Sequence, residues 1–132
     1  MISTSIKLSV RFAETDAMGV VYHANYLPWC ECARTTLLES IGASYKDLMQ
    51  QGYHLPVVEA HLNYKFPAKY ADEVEVRAKI VEKPSLKIKI DYEIVANSKL
   101  LVTGHTIHAF INDKGMPVKP PREFLNILRK HF

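Results

Sequence analysis

Within ten residues the chain sets a carboxylate, a glycine, an imidazole and a carboxamide: Asp16-Ala17-Met18-Gly19-Val20-Val21-Tyr22-His23-Ala24-Asn25. An aspartate in such a connection presents an ionised oxygen, able to attack an acyl carbon or to activate water. It equally forms an Asx-turn on its own backbone. His23 stands at the run-in to a helix, where free N–H groups and the positive end of the dipole favour negative charge. Such an N–H can hold the oxyanion formed when an ester or thioester carbonyl is attacked, and the imidazole can donate a hydrogen bond or protonate a leaving group. A locally bonded helix-entry histidine is the plainer alternative. Gly19 either lets backbone approach a ligand or satisfies a turn. Asn25 reads as a helix cap before it reads as a catalyst. The apolar run Val20-Val21-Tyr22 draws the loop onto the core and so fixes where its polar neighbours point.

The elements that must hold this loop are legible as periodicities. Ile6, Leu8, Val10 and Phe12 alternate with Lys7, Ser9 and Arg11, which predicts a strand over 6–12 with one face on the core. Leu27, Cys30, Ala33, Leu37, Leu38 and Ile41 recur at helical spacing up to Gly42, with Pro28 tolerable in the first turn. Only Glu31, Arg34 and Glu39 are charged there, so this helix is expected to be mostly enclosed by a sheet. A short helix follows over 44–51. Strands are predicted over 57–66, with Val58, Ala60, Leu62, Tyr64 and Phe66 on one face, then over 74–80, 86–94 and 101–111, and a terminal helix over 122–132. Turns fall at Lys83-Pro84-Ser85, Asn97-Ser98 and Asn112 to Gly115. The order gives an α+β domain, 1–132, with an antiparallel sheet on one helix.

Composition narrows the function. The 132 residues are 48% hydrophobic and 23% charged, a folded globular balance, and a length that makes a cleft between subunits an attractive solution. A net charge of +3, from 17 basic against 14 acidic residues, does not argue for nucleic acid. Cys30 and Cys32 point about 200° apart on a helix and cannot bridge each other, which suggests a reducing, cytoplasmic setting. No stretch approaches the roughly 20 apolar residues of a transmembrane span. His61 falls on an outer strand face with Glu59, and His105 and His108 fall on opposite faces of their strand, so no compact metal site is expected. G-x-S-x-G, a phosphate-binding glycine loop and C-x-x-C are all absent, which disfavours an elbow-type serine hydrolase and a nucleoside triphosphatase.

Arg11 to Tyr26, reading RFAETDAMGVVYHANY, resembles the signature of hotdog-fold acyl-CoA thioesterases. The resemblance is in particular to the 4-hydroxybenzoyl-CoA thioesterase-like group and its small bacterial relatives linked to the Tol-Pal envelope system. Phe66-Pro67-Ala68-Lys69-Tyr70-Ala71-Asp72-Glu73 is similar to that family's turn before its third strand. The resemblance implies a central helix wrapped by a five-stranded antiparallel sheet, pairing with a second subunit as a homodimer or homotetramer, and active sites at the subunit interface. It implies hydrolysis of acyl-CoA to free acid and CoA, with no cofactor beyond the CoA of the substrate. Asp16 would be nucleophile or general base, and the His23 backbone N–H would polarise the thioester carbonyl. Gly19, Val20, Tyr22, Asn25 and Tyr26 would surround the substrate. A hotdog dehydratase or hydratase, and an acyl-thioester binding module without turnover, are the competing readings.

Overall fold

The computed structural model describes residues 1–132. Its elements in chain order are β1 (Ile2–Ser9), 3₁₀ turns at Phe12–Glu14 and His23–Asn25, α1 (Tyr26–Ser40), α2 (Tyr45–Gln50), β2 (Tyr53–His54), β3 (Val57–Tyr64), β4 (Glu73–Ile80), β5 (Lys87–Ala96), β6 (Lys99–Ala109), β7 (Ile111–Asn112) and α3 (Arg122–Arg129). Five strands form an antiparallel sheet in the order β1-β4-β5-β6-β3, while β2 and β7 pair separately.

The period-two patterns become the inner face of this sheet. Val74, Val76, Ala78 and Ile80 of β4, and Ile88, Ile90, Tyr92 and Ile94 of β5, are all buried. They close on Cys30, Ala33 and Leu37 of α1, which no solvent reaches. The Asn97-Ser98 turn carries φ of 51° and 60°, the paired positive values of a type I′ hairpin that matches the strands' right-handed twist. Ser44 caps α2 by accepting the Asp47 N–H at 3.0 Å. At Gly104 an added Cβ would collide with the His61 carbonyl, so only glycine lets β3 lie this close to β6. No helix is long and apolar enough to cross a membrane.

The structure corrects several boundaries. The first strand ends at Ser9, and Phe12 is 76% exposed instead of facing the core. The reason is local: Val10 exchanges backbone bonds with Asp72 and Ala71, and the Arg11 N–H turns to the Glu14 carboxylate, which draws the chain into a 3₁₀ turn. Leu86 and Phe132 lie outside β5 and α3 and are exposed. The β2–β7 pair, two residues a side, is too short to leave a periodic trace. Two expected burials also fail within one chain. Leu27, Pro28, Glu31 and Cys32 leave a stripe of α1 open. In β3 neither face is covered: Leu62 is only half-buried and every other residue is exposed. Helix α1 packs chiefly over β1 and β4 and meets this edge strand at its far end, where the Tyr26 and Tyr64 rings lie with centroids 5.6 Å apart.

One polar seam crosses the core. His108, 1% exposed, lies within hydrogen-bonding distance of the Leu55 carbonyl (3.1 Å from Nδ1) and of Thr106 Oγ1 (2.8 Å from Nε2). The carbonyl can only accept, so Nδ1 carries the proton and a neutral Nε2 accepts from Thr106. Thr106 then accepts from the Tyr92 hydroxyl at 2.8 Å, and Tyr92 accepts from Arg34 at 3.3 Å. Burial pushes the His108 imidazole down from 6.5 to about 4, with the Leu55 carbonyl opposing that shift and the Arg34 charge adding to it. A histidine held neutral in the fold but protonated when unfolded costs stability as pH falls below 6.5 toward 4. Urea denaturation across that window is therefore expected to show falling stability, by up to about 1.4 kcal/mol per pH unit from this group. His108→Gln should flatten the slope.

Candidate active site

The loop that carries Asp16 is a three-residue hairpin turn. The Asp16 N–H donates to the Val20 carbonyl at 2.8 Å and the Gly19 N–H to the Asp16 carbonyl at 3.0 Å. Gly19 has φ +79°, the left-handed residue that closes such a loop, with open space where a side chain would stand. The Asp16 side chain also forms the Asx-turn weighed above, Oδ1 accepting the Met18 N–H at 2.8 Å. That bond fixes the carboxylate and leaves Oδ2 without a partner in the chain.

The other wall of the site is the helix entrance. His23 opens a 3₁₀ turn that runs directly into α1, and the first amides of such a turn have no carbonyl partner one turn earlier. Tyr64, at the end of β3, donates its hydroxyl to the His23 carbonyl at 2.9 Å, and its ring meets the imidazole edge-on with centroids 6.3 Å apart. Asn25 does not cap α1 with its side chain. Its φ and ψ of −76° and −10° are already helical because the 3₁₀ turn precedes it, whereas a capping residue needs extended geometry. Its amide donates instead to the Glu14 carbonyl at 2.8 Å.

Asp16 and His23 meet in one cleft of about 280 Å³, whose wall also includes Met18, Val20, Val21, Tyr26, Tyr64, Lys65, Phe66 and Pro67. Of the residues singled out from the sequence, Asp16, Val20, His23 and Tyr26 line it, while Gly19, Tyr22 and Asn25 do not. Tyr26 is buried and accepts the Ala68 N–H at 3.1 Å. Burial raises its hydroxyl pKa; the Ala68 bond works against that, and the charges of Asp16 and Asp72 add to it. Tyr64 is raised in the same direction, chiefly by burial. The segment Tyr64 to Pro67 is the part of the site that the loop motif does not reveal. Its signal is a cluster of aromatics at a strand end, and it reaches the loop only through tertiary pairing.

Glu14, absent from the expected site residues, anchors the arrangement. Only 7% exposed, its carboxylate accepts the Arg11 N–H at 2.8 Å and the Trp29 indole N–H at 2.7 Å, with the Arg11 guanidinium at 3.5 Å. Its carbonyl takes the Tyr22 N–H and the Asn25 amide. Burial opposes ionisation of this acid, but the Arg11 and Trp29 donors outweigh it and hold the carboxyl below its ordinary value.

A five-stranded antiparallel sheet packed on one long helix is the hotdog fold. The chain belongs to the thioesterase-like superfamily, whose family model matches residues 10–128. It is similar to a putative acyl-CoA thioesterase, YneP, of Bacillus subtilis, with 41% identity over 88 residues that cover 67% of this chain and 64% of that protein. It is 31% identical over 120 residues to a putative esterase of Aquifex aeolicus, covering 91% of this chain and 93% of that one. Among solved structures, a DHNA-CoA thioesterase from Staphylococcus aureus superposes with a TM-score of 0.86 at 35% identity, covering 90% of this chain and 81% of that one.

Trp29→Phe removes one donor from the buried Glu14 carboxylate and should cost about 1–3 kcal/mol in chemical denaturation. Glu14→Gln should cost a similar amount. The double variant should fall short of the sum, because both changes act on one cluster of donors and acceptors.

Proposed function

We propose that the protein hydrolyses the thioester bond of acyl-CoA to a free acid and CoA, with Asp16 as nucleophile or general base and the His23 turn as oxyanion site. The observation that carries this is the sharing of one cleft by the partnerless Asp16 oxygen and the opening turn of the long helix. A thioester carbonyl is less resonance-stabilised than an amide, so a carboxylate aimed at its carbon suffices when the developing oxygen charge is met by fixed amides. Attack of Asp16, or of water deprotonated by it, forms a bond to the carbonyl carbon. Collapse breaks the carbon–sulfur bond, and the thiolate leaves and takes up a proton; where Asp16 itself attacks, water then hydrolyses the mixed anhydride left on its carboxylate, which releases the acid and restores Asp16. The His23 imidazole stands on the cleft wall, where it can supply that proton. Met18, Val20 and Val21 give the cleft an apolar side that strengthens the electrostatic contacts. The reactions named for the Bacillus and Staphylococcus relatives support the same substrate class.

The reading includes a homodimer or homotetramer. Strand β3 is an edge with unpaired backbone groups and no cover on either face, and Val57, Val58, Tyr64 and Phe66 are exposed on or beside it. A free hydrophobic edge is a template for pairing with another chain. Antiparallel pairing of β3 with its copy would set the partner's Val57 end beside Tyr64 and so beside the cleft. The unpaired Cys30 and Cys32 fit a cytoplasmic location.

Asp16→Asn is expected to leave the circular dichroism spectrum and thermal midpoint unchanged and to lower kcat at least about 100-fold; near-normal thiol release from the folded variant would remove Asp16 from the mechanism. Light scattering should give a mass of at least twice 15.1 kDa. A fully active monomer would overturn the interface.

A further inference from the structure

The Asp16 cleft does not end at Pro67. Phe66 and Pro67 also wall a second hollow of about 250 Å³, which continues to Lys69, Asp72, Asn97 and Lys99. The two hollows are tied by backbone as well as by shared residues. Val20 pairs with Lys69, and the Val21 N–H donates to the Ala68 carbonyl at 2.8 Å, so the segment bearing Lys69 is bonded to the loop bearing Asp16. The ridge between them is an exposed aromatic ring, Phe66, with the Lys99 ammonium 5.1 Å from its centroid.

The charges in the second hollow are unbalanced. Neither Lys69 nor Lys99, nor Lys65 on the cleft side of the ridge, has a carboxylate within ion-pair distance. The one acid present, Asp72, is engaged elsewhere: Oδ2 accepts the Lys69 backbone N–H at 2.9 Å, and Oδ1 faces the Asn97 amide at 3.5 Å. Those bonds hold the 69–72 turn and the β5–β6 hairpin together and leave both ammonium groups free for a ligand.

We propose that this hollow receives the phosphates of CoA, with Lys69 and Lys99 as their binding residues and Phe66 as the ridge over which the pantetheine arm passes. The proposal rests on the thioesterase reading of the Asp16 cleft. An uncharged amide-and-methylene arm suits a ridge of aromatic ring and proline, and phosphate oxygens suit lysines that carry no competing carboxylate. The site would act on ground-state and transition-state binding alike, so it would set KM and leave kcat alone.

The test compares wild type with Lys69→Glu/Lys99→Glu, and with Lys83→Glu/Lys119→Glu, which makes the same change in net charge elsewhere. For an acyl-CoA substrate, Lys69→Glu/Lys99→Glu is expected to raise KM by about tenfold or more, the effect of losing roughly 1.4 kcal/mol of binding. Its kcat, its thermal midpoint and its hydrolysis of the matching acyl-N-acetylcysteamine thioester should stay as in wild type. Calorimetry with free CoA should show the same weakening, and it requires no turnover. Weakened CoA binding in a chain that hydrolyses no thioester would sustain this site while overturning the reaction. Unchanged CoA affinity in an active enzyme would overturn the site alone, and so would an equal loss in the Lys83→Glu/Lys119→Glu variant. Titration with 4′-phosphopantetheine then separates two sources of the same chemistry. Parallel weakening assigns the lysines to the phosphate that CoA shares with carrier proteins, and weakening for CoA alone assigns them to its nucleotide. Both results sustain the site.

Discussion

The buried carboxylate of Glu14 is the constraint on which the site depends. A charged group removed from water is tolerable only when its oxygens are matched by donors, and here Arg11 and the Trp29 indole provide them. Trp29 belongs to α1 and Glu14 to the segment entering the Asp16 loop, so the bond locks loop to helix. The Glu14 carbonyl repeats the lock through Tyr22 and Asn25 on the far side of the loop. Between these fastenings the chain has little freedom. Asp16 and the His23 turn keep their separation because both ends of the segment joining them are bound to one residue.

The polar seam from Arg34 to the Leu55 carbonyl has an analogous role deeper in the fold. Each group in it has a partner, and the direction of donation is set at the carbonyl end, so the core contains polar atoms without leaving one unpaired. Because β5, β6, α1 and the Leu55 segment all contribute, the seam fixes the register of sheet against helix. A slip of one residue would break every bond in it. Thus the sheet that shapes the cleft is positioned by hydrogen-bond geometry as well as by apolar contact.

The chain also leaves apolar surface open. An edge strand exposed along most of its length and an open stripe on the central helix are costly on a free monomer, and the strand reaches the proposed reaction cleft at Tyr64.

Much of this was legible in the sequence because it is local. Periods of two and 3.6 located the five long strands and the central helix, the Asn97-Ser98 and Gly42 signals located turns, and the spacing of Asp16 to His23 located the loop. What misled was equally physical. Alternation in β3 gave a buried face, but burial depends on what lies above a strand, and here only Leu62 and Tyr64 find cover within one chain. Asn25 looked like a cap because capping is a local preference, yet a bond to Glu14, eleven residues away, claimed its amide. Tyr64 to Pro67, Lys69 and Lys99 joined the site only through strand pairing and the bridge to Val20. The sequence by itself determined which elements form and which short loop carries polar groups, since those follow from neighbouring residues. Tertiary structure alone decided which of those groups face a common space, because that depends on contacts between segments distant along the chain.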